Sequence, residues 1–147
     1  MDELDQLLKR RAQILIIAAL GFAAWQGSLL AADLLEAGTS AFVTASIGVS
    51  LGALVFAGAM VAFQIFGRKV SKLKACSVID DELTRQNRYK AFAYGWIYTL
   101  AVVSLGLGVE TIWPGTAFIS QRIALIVSVS VPMVAFGRME LKNMEDA

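Results

Sequence analysis

The run Asp80-Asp81-Glu82-Leu83-Thr84-Arg85-Gln86-Asn87-Arg88-Tyr89-Lys90 is the densest gathering of ionisable side chains in the sequence. Its acids precede its cations, and that order suits electrostatic work at the start of a helix. Ser77 and Asp80 have the spacing of a capping box, and Asp80, Asp81 and Glu82 place negative charge at the positive end of a helix dipole. Asp81 and Arg85 stand at i and i+4, within ion-pairing reach on one helical face. The segment is therefore expected to open a helix and to present Arg85, Arg88 and Tyr89 as a polar, partly aromatic surface. Such a surface suits contact with a protein or with lipid phosphates.

Catalytic chemistry has no comparable footing. The chain has no histidine and one cysteine, Cys76. A structural zinc site, a bis-His haem, an internal disulfide and a Cys-pair redox relay all lack their ligands. No nucleophile stands with a base, and neither a metal-ligand cluster nor a phosphate-cradling glycine loop is readable. The expectation is a protein without enzymatic activity, cofactor, metal or direct contact with nucleic acid.

The elements that must position the charged run are membrane spans. The 147 residues are 57% hydrophobic and 17% charged, too apolar for a water-soluble chain of this size. A span needs about 20 mainly apolar residues. Four segments qualify, about 12–35, 41–66, 91–109 and 121–137, with a connection over 67–90, and together they make one all-α, four-helix membrane domain over 1–147. The fourth is short unless Gln121 and Arg122 join its helix, with Arg122 snorkelling outward. Lys9, Arg10 and Arg11 precede the first apolar run as in a signal peptide, but the run is longer than the 7 to 15 residues of a signal-peptide core. It is expected to be retained.

Placing the N-terminus inside puts every Lys and Arg except Arg122 on one side, and leaves short acidic outer loops with Asp33, Glu36 and Glu110. Both termini are therefore expected in the cytoplasm, with Trp113 and Phe118 in an interfacial aromatic belt. No convincing repeat relates the two halves.

Helices in lipid associate through small residues that permit close approach. Gly48 and Gly52 share a stripe of the second span with Ala41 and Ala45, and Gly58-xxx-Ala62 lies further on. Internal packing is the first expectation for these residues, and a homodimer seam is the alternative. Gln26 is an interhelical hydrogen-bonding group or, alternatively, a ligand contact. Ser128 and Ser130 beside Pro132 are expected to form a kink in which a hydroxyl re-satisfies a freed carbonyl. No carboxylate, Lys or His falls near a membrane midplane, which counts against an ion-coupled carrier.

The run from Asp80 to Arg88, followed by Lys90-Ala91 and an aromatic span containing Gly95, resembles the central motif of a group of small uncharacterised bacterial membrane proteins. These have four spans and are often encoded beside a helix-turn-helix regulator of the Xre type. The likeness covers about residues 79–98. It implies an inner-membrane partner that sequesters or modulates such a regulator, and it carries over no functional residues.

The leading expectation is an accessory or regulatory protein of the bacterial inner membrane. Its connection between spans 2 and 3 would bind a cytoplasmic partner through Asp80, Asp81, Glu82, Arg85 and Arg88; the competing reading of the same segment is that Lys72, Lys74, Arg88 and Lys90 only fix topology and touch the phosphates of membrane lipid. The alternatives are a small dimeric channel or transporter joined through Gly48 and Gly52, with Gln26 on its path, and a subunit of a larger membrane complex.

Overall fold

The computed structural model describes residues 3–72 and 82–145. They form four helices: α1 (Glu3–Leu34), α2 (Ser40–Lys72), α3 (Glu82–Ile112) and α4 (Ala117–Glu145). At 29 to 33 residues each, the helices run about 44–50 Å at 1.5 Å per residue. That exceeds a hydrocarbon core of roughly 30 Å, so every helix continues past the apolar run that defines it. The connection expected over 67–90 is thus helical over 67–72 and 82–90. Lys, Arg, Gln and Glu are good helix formers, and they extend a helix into water at little cost. Ser77, Asp80 and Asp81, with the capping and ion pairs proposed for them, lie outside the described residues.

Both short turns lie at one end of the bundle, here the turn end. Gly38 and Gly115 adopt φ of 88° and 95°, a left-handed conformation that glycine enters without strain. Each turn then supplies a threonine ahead of the next helix. The Thr39 hydroxyl accepts the Phe42 amide at 3.2 Å and caps α2. In the second turn Glu110 folds back, accepting the Gly115 amide at 2.8 Å and the Thr116 hydroxyl at 3.0 Å.

The helices pack in the order α2, α1, α4, α3, with α1 and α4 as the central pair. All three seams use small residues. A Cβ on Gly52 would come 2.7 Å from the Trp25 Cα, and one on Gly21 would come 2.8 Å from the Phe56 amide nitrogen, so α1 and α2 touch backbone to backbone. Phe22, Trp25 and Phe56 close that seam as an aromatic group with centroids 5.3–6.1 Å apart. Between α3 and α4 the Pro132 ring fills the space opposite Gly95, where a Cβ would lie 2.8 Å from its Cδ. Gly137 brings α4 onto α1, 3.0 Å from the Ala12 carbonyl oxygen by the same construction. The hydroxyls near Pro132 are used differently from the expected kink repair. Ser128 donates to Leu125 O at 3.0 Å, and Ser130 crosses to Ala19 O on α1 at 3.1 Å.

The interior is alanine and glycine, and the exterior is large and apolar. Ala12, Ala18, Ala19, Ala91 and Ala124 are buried, whereas Leu20, Leu54, Ile65, Trp96, Leu105 and Leu107 are all more than 60% exposed. A surface of this kind is stable against hydrocarbon and not against water. All four helices are long and apolar enough to cross a membrane.

Candidate functional site

At the end opposite the turns, three helices meet in a polar cluster. Arg11 on α1 donates through Nε to Glu140 Oε2 on α4 at 3.2 Å, and through Nη2 to the same oxygen at closer range. Thr84 on α3 donates to the other carboxylate oxygen at 3.2 Å. The Arg11 guanidinium also lies over the Phe136 ring, 5.3 Å from its centroid. Both charged side chains are nearly enclosed, at 11% and 5% exposure for Arg11 and Glu140. A carboxylate so placed is tolerable only because its oxygens are occupied by donors and one partner is a cation. The cluster fastens the start of α3 to the central pair.

The first turns of α3 are divided by face. Thr84, Asn87, Ala91 and Gly95 are buried, at the i, i+3, i+7, i+11 spacing of a stripe turned to α4. Asn87 Nδ2 has no partner among the described residues. Glu82, Arg85, Gln86, Arg88, Tyr89 and Lys90 are exposed. Of the residues expected to contact a partner, the structure therefore brings Glu82, Arg85 and Arg88 to the surface at one end of one helix. Asp80 and Asp81 lie outside the described residues.

Arg88 has a second setting. It lines a groove of about 490 Å³ together with Arg11 and Thr84, and the groove continues between Phe63 of α2 and Phe92 of α3. Its floor is the α4 segment that includes Pro132 and Met133. The groove exists because α2 and α3 are the outer helices of the row and neither packs extensively on the other.

A smaller polar cluster ties α1 to α4 nearer the turn end. Arg122 lies within α4 and donates to Gln26 Oε1 at 3.1 Å and to Asp33 Oδ2 at 3.5 Å. Gln26 is thus a buried interhelical acceptor, while the Asp33 pair is exposed and contributes little stability. Gly48 and Gly52 face Ser28 and Trp25 of α1 within the chain. Gly58 differs: its chain neighbours and own helix backbone aside, no atom of the described residues lies within 4 Å of the Cβ that a residue there would carry. Among the described residues, no three of His, Cys, Asp and Glu are grouped so as to hold a metal ion.

Sequence reasoning missed Glu140, Arg11 and Thr84 as a group. The stripe from Thr84 to Gly95 was readable as small and polar residues at helical spacing. Nothing in the sequence joins Arg11 to Glu140 across 129 positions.

The fold and its polar clusters define a multi-pass, all-α membrane protein built on four helices. No protein-family model, curated protein or solved structure matches the chain.

Proposed function

We propose that the protein is a non-enzymatic accessory or regulatory protein of the bacterial inner membrane, with both termini in the cytoplasm, that docks a cytoplasmic protein on the start of α3. The observation that carries this reading is the division of that segment. Thr84 is fastened to Glu140, which Arg11 holds in turn, so the helix start is held in place, while Glu82, Arg85 and the 73%-exposed Tyr89 turn away from the bundle. A rigid helix face bearing an aromatic ring and an arginine loses little conformational freedom on binding, which favours its use in recognition. The resemblance of residues 79–98 to membrane proteins encoded beside Xre-type regulators makes a DNA-binding regulator the first partner to seek.

The test places a photo-crosslinking residue at position 89 in the native host. One cytoplasmic protein should crosslink, and the product should disappear when Glu82→Lys and Arg85→Glu are combined, with membrane insertion unchanged. The same crosslink surviving charge reversal would remove this surface from the function.

A further inference from the structure

We propose that the groove between α1 and α2, at the end of the bundle away from the turns, binds an anionic phospholipid, with the phosphate between Arg10 and Lys69 and the start of an acyl chain along Ile14, Ile17 and Ile65. The site shares no residue with the docking surface on α3 and does not rest on that reading.

The groove is made from one pattern used twice. On α1 its lining is Arg10, Gln13, Ile14 and Ile17, with Leu7 at the outer end. On α2 it is Ala62, Ile65, Phe66 and Lys69. Each set of four follows i, i+3, i+4, i+7, a single stripe of one helix. The two helices run in opposite directions, with Trp25 against Gly52 and Gly21 against Phe56. The cation therefore closes each stripe at the same end of the bundle. Leu7 and Val70 form a buried apolar cluster at that end. Lys69 lies one residue inward from it and Arg10 three, so the two charges stand within about 3 Å of the same depth at 1.5 Å per residue. Gln13 follows one turn deeper, and the rest of the lining is apolar.

Both cations are in surplus. Neither has a carboxylate three or four residues away on its own helix, the spacing at which helical ion pairs form. No acidic residue lines the groove. Among the described residues, neither side chain has an ion-pair or hydrogen-bond partner. Arg11, the next residue, is the contrast, since its guanidinium is taken up by Glu140 on α4.

Two unpaired cations at one depth are complementary to an anion. The Gln13 amide, about 4.5 Å deeper along the helix, can donate to an ester carbonyl, which in a phospholipid lies just below the phosphate. The apolar lining then covers hydrocarbon and offers a free phosphate nothing. A volume of about 260 Å³ falls short of the roughly 300–1,000 Å³ of pockets that enclose a small molecule. The fitting occupant is one that continues out of the groove into the medium around the helices, as a lipid does. Lipid recognition by basic pockets between spanning helices follows the same electrostatics.

The experiment is native mass spectrometry of the full-length protein in mild detergent, titrated with phosphatidylglycerol or with phosphatidylcholine of the same acyl chains. One phosphatidylglycerol should bind saturably, and phosphatidylcholine should bind more weakly. Arg10→Gln and Lys69→Gln should each weaken phosphatidylglycerol by about fivefold, the effect of one charge near a membrane surface, and together they should remove its advantage over phosphatidylcholine. Lys90→Gln removes an equal exposed charge on α3, outside the groove, and should leave binding unchanged. Ala62→Trp, which fills the groove, should lower binding of both lipids. Helix content by circular dichroism checks that each variant is folded. Equal losses in Lys69→Gln and Lys90→Gln, or graded uptake without saturation, would reduce the effect to diffuse surface attraction and overturn the site. Glycerol phosphate binding as tightly as the lipid, or full lipid binding by Ala62→Trp, would overturn the acyl-chain assignment.

Discussion

Glu140→Ala should be among the most destabilising single changes in the molecule, since it removes the shared acceptor of Arg11 and Thr84. The carboxylate accepts two N–H groups from Arg11 and the Thr84 hydroxyl, and its side chain is 5% exposed. Breaking a buried pair by deleting one partner costs about 3–5 kcal/mol, because the remaining charge is left uncompensated. Arg11 retains its position over Phe136, and its long side chain can bend toward the membrane surface, both of which reduce that cost. A loss of about 3 kcal/mol follows, roughly a hundredfold in the folding equilibrium. The assay is reversible unfolding in mixed micelles with a rising fraction of dodecyl sulfate, followed by circular dichroism. Thr84→Val in the same assay should cost only about 1 kcal/mol, the net worth of a single hydrogen bond. Replacing the whole pair, Arg11→Met with Glu140→Leu, should recover most of the loss, since both charges of that pair are then gone together. A Glu140→Ala cost below about 0.5 kcal/mol, typical of an inert surface position, would refute the account, as would strictly additive single-variant losses in the cycle.

Further outcomes follow from the packing and the polar contacts. Gly52→Leu should lower stability by more than about 3 kcal/mol in the same unfolding assay, since its first carbon meets the Trp25 backbone, whereas Gly58→Leu should be within about 0.5 kcal/mol of the parent. Gly95→Ala should cost about 1–3 kcal/mol by pressing on Pro132. Arg122→Leu should cost more than Gln26→Leu, because removing the donor strands a buried amide oxygen while removing the amide strands only a half-exposed cation; the reverse order would refute the assignment. The proposed orientation is checked in a Cys76→Ala background. Glu36→Cys should react with a membrane-impermeant maleimide on intact cells, and Lys142→Cys only after permeabilisation.

The sequence by itself determined that the chain crosses a membrane as four helices. Apolar runs near 20 residues, separated by short charged or glycine-containing stretches, leave backbone polar groups no other way to be satisfied in lipid. It also indicated that the third helix extends ahead of its apolar run, and α3 is helical from Glu82, before the apolar run that begins near Ala91. Which faces meet was decided by the tertiary structure alone. In water, hydrophobic periodicity separates inside from outside. In lipid both sides of a helix are apolar, and selection passes to close approach and to a few polar contacts. Thus Gly48 and Gly52 became the α1 seam while Gly58, alike in sequence, stayed open. Gln26 found its donor on the last helix, and Arg11 met Glu140 across nearly the whole chain. The groove beside Arg88 depends on the order α2, α1, α4, α3, which leaves the outer helices apart. No local pattern encodes that order, because it is the sum of three separate seams.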